Sequence, residues 1–420
     1  MKKRSFLKTM AGAVVIPNFY DQLDRWQILL EHDNVHSVAQ NEEYWAVVRS
    51  GYRLKPDYIN LENGYYCIVP QETLEKYIDH ARHVNYQGSY YMRTVQLDNK
   101  HRAAARLAKL IGAQENEVIL TRNTTESLDT IIGGYPWQEG DEAIYAQQDY
   151  GAMRIMFELQ ERRHGIKSKI VSVPNHPSSD KEIVALYESA ITDRTKLLMV
   201  CHIINITGHI MPIRKICDMA HARGVDVMVD GAHAIGHFDF DIKDLNCDYY
   251  GSSLHKWLSV PLGSGLLYVK EGMATKIWPT FAEWNKEDHD ILKLNHTGTH
   301  PPHTDLAVND AIDYLSRIGP KRKEERLRYI QRYWTDQVRD IDGINVNTPR
   351  ELHRSCGIAN VGIEGIAPSI LAKRLMSEFN IWTVAINQPP VIGCRITPNI
   401  YTSLEELDTF VAALKTMAAE

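Results

Sequence analysis

The sequence predicts an α/β fold, a mainly parallel sheet covered by helices on both faces and continued by a smaller α+β domain. Three observations lead there. From Glu117 onward, short apolar runs alternate with stretches of helical spacing, the strand–helix–strand rhythm of a parallel sheet. Several of these runs are apolar throughout and do not alternate, which suits strands buried on both faces. After about residue 300 the rhythm gives way to long amphipathic helices and then short strands.

Along the chain, helical spacing first appears at 41–50, 71–83 and 99–111. Strands are expected at 117–121, 143–146, 169–173, 196–201, 225–230 and 265–269. Helices at 125–133, 152–164, 179–190 and 213–223 fall between them, most with Gly or Asp near an end. Beyond these come helices at 305–318 and 321–338, strands at 344–347, 357–361, 381–384 and 394–396, and a closing helix at 404–417. Residues 61–300 are thus expected to form a large domain and 301–420 a small one, with 18–60 packed beside the latter. No internal repeat or low-complexity linker interrupts the pattern.

A chain of 420 residues can hold two domains and a large core. Its 44% hydrophobic and 24% charged content is that of an ordinary globular protein. A net charge of −6 leaves no basic footprint, so nucleic acid is not an expected partner. Cys67, Cys201, Cys217, Cys247, Cys356 and Cys394 show neither CxxC nor metal-ligand spacing. His296, His300 and His303 lie close together without an accompanying Cys or HExxH pattern, so they read as a histidine-rich loop and no metal is expected. At the N-terminus, Lys3-Arg4-Ser5-Phe6-Leu7-Lys8 is similar to a twin-arginine export signal with lysine for the first arginine. The apolar run after it, Met10 to Pro17, is about eight residues, far too short to span a bilayer. Residues 1–17 are read as a degenerate signal or a basic start; the expected compartment is the cytoplasm, with the periplasm as the alternative.

The chemistry gathers at strand ends, where open α/β sheets bind ligands. Asp230-Gly231-Ala232-His233 ends one strand, and Ser252-Ser253-Leu254-His255-Lys256 follows downstream. A lysine amine can form a Schiff base with pyridoxal phosphate (PLP). A strand-end aspartate can keep the pyridine nitrogen protonated, so that the ring withdraws electrons from a carbanion. Asp230 otherwise reads as a turn cap, and Lys256, beside Trp257, as either a snorkelling residue or a desolvated amine. Thr121 to Ser127 joins a strand to a helix, and its free N–H groups with the hydroxyls of Thr124 and Thr125 would cradle a phosphate; a plain N-cap leaves the same pattern. Tyr150 can stack on a flat ring or simply begin a helix. Asn205 can bond a phenolate oxygen, and Ser253 and His255 can add phosphate contacts.

Together and in this order, these motifs resemble the class V aminotransferase superfamily of fold-type I PLP enzymes. That group includes cysteine desulfurases, isopenicillin N epimerases and kynureninase-like enzymes. The likeness runs from about Asn60 to Leu414 and is strongest in DGAHAIG at 230–236 and SLHK at 253–256. The resemblance implies a fold-type I architecture with a seven-stranded sheet. It makes Lys256 the internal-aldimine lysine and the proton shuttle at the substrate Cα, and it puts Asp230 at the pyridinium nitrogen. Tyr150 takes the ring-stacking position, where many relatives carry histidine, and Asn205 and His233 flank the phenolic oxygen. Thr124, Thr125, Ser253 and His255 hold the phosphate. Thr299, in Thr297-Gly298-Thr299, reaches the phosphate bound by a neighbouring subunit, which implies a homodimer with shared active sites. Arg395 matches the arginine that clamps the substrate α-carboxylate, a role suited to a bidentate guanidinium.

One departure narrows the chemistry. Cysteine desulfurases of the main groups carry a nucleophilic cysteine on a mobile loop upstream of that arginine, whereas 385–393 here is short and has none. A persulfide-forming desulfurase is therefore disfavoured, while a lyase that eliminates directly needs no such cysteine. An epimerase needs a second acid/base, for which His202, Tyr65, Tyr66 and Tyr91 are candidates. The segments Asn63-Gly64-Tyr65-Tyr66 and Tyr90-Tyr91-Met92-Arg93 are expected on the substrate side, with Asn63 and Tyr91 as contacts. The LENGYY segment and the stacking tyrosine look most like the isopenicillin N epimerase-like branch. The expected function is a PLP-dependent amino-acid epimerase or transaminase acting at Cα. A carbon–sulfur lyase is the first alternative. A non-catalytic PLP-fold binding protein is the second, and intact Lys256, Asp230 and Arg395 argue against it.

Overall fold

Strands that are apolar along their whole length must bury both faces, and the computed structural model shows how this chain does so. It describes residues 19–283 and 286–420; the export-like segment at 1–17 lies outside them. In chain order the strands are β1 (Ile59–Asn60), β2 (Val118–Thr121), β3 (Glu142–Ala146), β4 (Lys167–Val171), β5 (Thr195–Cys201), β6 (Asp226–Asp230) and β7 (Tyr249–Ser253). They continue with β8 (Gly265–Val269), β9 (Ile344–Val346), β10 (Ala359–Ile363), β11 (Ile381–Trp382), β12 (Val384–Gln388) and β13 (Val391–Ile396).

Seven strands form the main sheet in the order β2-β8-β7-β6-β5-β3-β4. β8 runs antiparallel to both of its neighbours, and the remaining pairings are parallel. Successive residues of β5 feed opposite sides: Leu198 and Val200 enter one hydrophobic core, Leu197 and Met199 the other. β6 does the same, with Val227 and Val229 on one side and Met228 on the other. Full burial of each such side chain stabilises the fold by about 1.5–3 kcal/mol. The expected α/β class is thus observed, a mostly parallel sheet between helices.

The strand order places the ligand-binding crevice. From β3 the chain moves outward to β4, then returns to β5 on the other side of β3. The carboxyl ends of β3 and β5 therefore flank a topological switch point, where side chains and loops diverge and leave room for a ligand.

A second sheet, β12-β13-β10-β9, is antiparallel throughout. The N-terminal segment comes beside it through β1, which pairs parallel with β11 in a separate two-stranded sheet just before β12 in the chain. Just beyond, the Thr397 N–H donates to the Leu61 carbonyl at 2.8 Å. These bonds bring 61–65 beside the end of β13, although more than 300 residues of chain separate them.

Two elements differ from the sequence expectation. β7 was not expected as a strand, because Tyr249-Tyr250-Gly251-Ser252-Ser253 contains no apolar run; yet all five residues are buried. Its small residues let the helix Thr124–Gly134 press against the sheet: a Cβ on Gly251 would lie 2.7 Å from Leu128 Cδ2. The stretch 385–393, expected as a short loop, is a hairpin in which Ala385 pairs with Cys394 and Gln388 with Val391. Among the described residues, no helix is long and apolar enough to cross a membrane.

Candidate active site

A cavity of about 290 Å³ opens at the switch point, near the lower end of the range for small-molecule sites. Ten of the expected residues line it: Thr124, Thr125, Tyr150, Asn205, Asp230, His233, Ser253, His255, Lys256 and Arg395.

One wall is a helix N-terminus. Asn123 caps the helix Thr124–Gly134, its side chain accepting from the Glu126 N–H at 2.8 Å. That cap is worth about 1 kcal/mol and leaves the Thr124 and Thr125 ends of the first turn on the cavity. Ser253, at the end of β7, accepts from the Thr124 N–H at 2.9 Å and meets its hydroxyl at 2.7 Å. Hydroxyls and helix N–H groups are thereby gathered where an anion is favoured.

The floor is Asp230, buried at the end of β6, with Oδ1 accepting from the Ala232 N–H at 2.9 Å. Burial pushes its carboxyl upward, while that hydrogen bond and Lys256 pull the other way. The turn needs glycine at 231: a Cβ there would fall 2.0 Å from the Tyr250 ring. Lys256 lies on the loop after β7, with Nζ 3.0 Å from His233 Nε2. Burial pulls the ammonium down to about 8; Asp230 opposes the fall and Arg395 adds to it.

On the second-sheet side, Arg395 of β13 is nearly buried and forms a bidentate pair with Glu62, Nε to Oε2 at 3.1 Å and Nη2 to Oε1. Its Nη1 lies 3.4 Å from the Asn205 carbonyl oxygen. Gly64 permits the approach, since a Cβ there would sit 2.9 Å from Arg395 Cζ. Arg395 is thus neither exposed nor free.

Of the expected residues, His202, Tyr66, Tyr91, Asn63 and Thr299 do not line the cavity. His202 is sealed between Phe238, Phe240 and Tyr250, its Nδ1 3.0 Å from the Tyr250 hydroxyl, and burial drops it to about 3. His202 lies just past the end of β5, where its N–H donates to the Asp230 carbonyl at 2.8 Å; its ring enters the aromatic cluster while the neighbouring Cys201 lines the cavity. Tyr91 is buried with its hydroxyl bonded to Asn99 at 2.7 Å. Asn63 is buried against Thr397 and Tyr401, bracing the loop that carries Gly64 and Tyr65. Thr299 is exposed on this chain.

Two neighbours escaped the sequence reading. Glu62 had no local signal tying it to Arg395. Asp149, adjacent to Tyr150, is held by the Ala146 N–H at 2.7 Å and the Cys201 thiol, and burial pushes it up to about 7. All six cysteines are free and buried; Cys201 is the one that lines the cavity, its thiol pushed well upward by burial.

The residues present fit PLP. Among the described residues, Asp230 is a buried carboxylate with no cation hydrogen-bonded to it, the partner a pyridinium would supply. Asn205 Oδ1 and His255 Nδ1 are buried polar atoms without hydrogen-bond partners among the described residues, and both residues line the cavity. The threonine and serine hydroxyls meet an anion at a helix N-terminus, and the amine of Lys256 reaches the same space.

Comparison with known proteins agrees. The family model described as Aminotransferase class-V matches residues 67–385. An isopenicillin N epimerase of Streptomyces clavuligerus is 28% identical over 393 residues, covering 90% of this chain and 99% of its own length. A probable cysteine desulfurase of Halalkalibacterium halodurans is 26% identical, covering 74% of this chain and 78% of its own. Among solved structures, an apo cysteine desulfurase from Thermococcus onnurineus has a TM-score of 0.77 at 21% identity, covering 89% of this chain and 97% of its own. The cystine C–S lyase C-DES, in complex with cysteine persulfide, has a TM-score of 0.77 at 19% identity, covering 85% and 97%.

Proposed function

The chain belongs to the class-V aminotransferase family of PLP-dependent enzymes, and we propose that it removes the proton at Cα of an amino-acid substrate and delivers a proton either back to Cα, as an epimerase, or to the cofactor's C4′, as a transaminase. The observation that carries this reading is the convergence of Lys256, Asp230 and Arg395 on one cavity. When bound, PLP supplies an electron-withdrawing ring that stabilises negative charge at Cα.

The roles follow from position. Lys256 would hold the cofactor through its amine, and its Nζ would take up the Cα proton; it would deliver that proton to C4′ in transamination, while in epimerisation a second group would supply a proton from the opposite face. Asp230 would hold a proton on the pyridine nitrogen. Thr124, Thr125, Ser253 and His255 would hold the phosphate, Tyr150 would cover the ring, and Asn205 and His233 would bond the phenolic oxygen. Arg395 binds the substrate α-carboxylate, with Glu62 steadying its Nε–Nη2 edge. Of the four sequence candidates for a second acid/base, Tyr65 is the one that lines the cavity, so it is assigned that role in the epimerase form of the reaction. The exposed Thr299 is assigned to a second subunit's site in a homodimer.

Direct elimination from a sulfur-bearing substrate is the second reading. The hairpin β12–β13 carries Cys394 as its one cysteine, and that thiol is buried. A persulfide relay on that hairpin is therefore not supported, whereas a lyase without one would need only the residues above.

The deciding experiment incubates PLP-loaded protein in heavy water with L- and D-amino acids, including cysteine and its thioether and sulfoxide conjugates. Deuterium at Cα with both configurations recovered supports epimerisation, and a keto acid supports transamination. Pyruvate with a released thiol would replace both with the lyase reading. Silence across the panel with the cofactor bound would count against turnover altogether.

A pH prediction follows from Lys256. Only the neutral amine attacks an aldehyde, and the neutral fraction grows as pH rises through the folded-state value. Incorporation of PLP into apoprotein is expected to accelerate with a midpoint near 8, below the ordinary lysine value of about 10.4. Stopped-flow absorbance across pH 6.5–10 checks it (about 10 being set by the free lysine value); a midpoint near the free value would mean the amine is solvated.

A further inference from the structure

Trp257 and His237 lie outside the cavity lining, yet they control which nitrogen of His233 carries its proton. An indole N–H can only donate, as can a backbone N–H. Trp257 Nε1 donates to His233 Nδ1 at 3.2 Å. Nδ1 must therefore keep its lone pair, and a neutral His233 carries its proton on Nε2, the atom 3.0 Å from Lys256 Nζ. Burial keeps His233 well below the usual histidine range, with Lys256 and Arg395 adding to the fall, so the ring is neutral.

The same logic fixes the support. The Gly357 N–H, just before β10, donates to His237 Nε2 at 2.7 Å. His237 then has its proton on Nδ1, which donates to the His233 carbonyl at 2.8 Å. Its ring stacks on the Trp257 indole at 3.8 Å and 13°. Lys323, also buried, donates to the Trp257 carbonyl. Two obligatory donors thus set two histidine tautomers, and the last N–H in the series points at the reacting nitrogen, which accepts it only as the neutral amine because an ammonium has no lone pair.

We infer that Trp257 and His237 are positioning residues that hold His233 in its Nε2–H tautomer, so that it presents a fixed hydrogen-bond donor beside Lys256 and the cofactor's phenolic oxygen. This rests on the PLP reading for what the N–H meets, and on the geometry alone for the tautomer.

The test has two arms. The first is 15N NMR of full-length protein labelled at histidine, with H233Q identifying the His233 resonances. Wild type is expected to show a protonated Nε2 and an unprotonated Nδ1 that do not titrate between pH 6 and 9 (the lower limit being near the ordinary histidine value of about 6.5). Trp257→Phe is expected to admit the Nδ1–H form. Protonated Nδ1 in wild type overturns the inference without any variant having to fold.

The second arm titrates the visible absorbance of the PLP-loaded protein. An N–H facing the phenolic oxygen favours the form in which that oxygen bears full negative charge. Losing it should raise the midpoint in W257F by about 0.5–1 pH unit, one ordinary hydrogen bond. Asp230, Arg395, Cys67, Cys201, His237 and His255, the other titratable groups facing Lys256 or His233, are unchanged in the variant. H233Q keeps an amide donor independent of Trp257, so adding W257F to it should produce no further shift. An equal shift in both backgrounds would make Trp257 merely structural. Absence of any cofactor band in wild type would overturn the PLP reading, while the tautomer is judged by NMR alone.

Discussion

Lys256→Ala is expected to abolish covalent retention of PLP and to lower turnover by at least about 10³-fold, within the range of a lost general acid–base group. Both effects have one source. The buried amine faces Asp230 and Arg395 in the cavity, and burial, aided by Arg395 and opposed by Asp230, brings it down to about 8. In water a lysine would be almost wholly protonated at neutral pH; here a useful fraction is neutral and nucleophilic. The measurement is borohydride reduction followed by peptide mass spectrometry: the cofactor mass should sit on the peptide containing Lys256 in wild type and vanish in the variant. The hydroxyls around Thr124 should still retain some PLP without a covalent bond. Undiminished Cα exchange in the variant would remove Lys256 from the chemistry. Unchanged partner binding in a protein that never turned over would favour a binding module.

Arg395→Ala should produce two separable losses. Arg395 and Glu62 are both nearly buried and share a bidentate contact. Removing the guanidinium leaves a buried carboxylate without its counter-charge, a loss of about 3–5 kcal/mol that urea unfolding would read as a lower midpoint. Adding Glu62→Gln removes the stranded charge, and R395A/E62Q should recover most of that stability. Substrate binding should not recover. The carboxylate clamp contributes about 1.5–3 kcal/mol as charge-assisted hydrogen bonds, so KM should rise about 10- to 150-fold in both R395A proteins. If KM returned with stability in the double variant, Arg395 would be a structural partner of Glu62, and the substrate carboxylate would bind elsewhere.

Much of this molecule was legible because the signals are local. Apolar runs bounded by turn residues marked six of the seven main-sheet strands. Asp230 and the segment before Lys256 stood out because a carboxylate or an amine at the end of a buried stretch needs a partner. β7 was not legible, since its burial comes from a helix packed on small residues and not from its own hydrophobicity. The placement of His202 was not legible either: just past the end of β5 its ring is sealed against Phe238 and Phe240, while the neighbouring Cys201 lines the cavity.

The sequence by itself determined the fold class, the order of the chemical groups and ten residues that meet in one cavity, because hydrophobic period and strand-end punctuation are written within short windows of chain. Only the tertiary structure decided that Glu62 pairs with Arg395, that Tyr91 and His202 turn away, and that Trp257 addresses His233. Those outcomes depend on the pairing of β1 with β11, on the bond from Thr397 to Leu61 and on the close approach of Gly357 to His237. Contacts between residues hundreds of positions apart are chosen by packing and hydrogen-bond satisfaction across the whole chain, which no local pattern encodes.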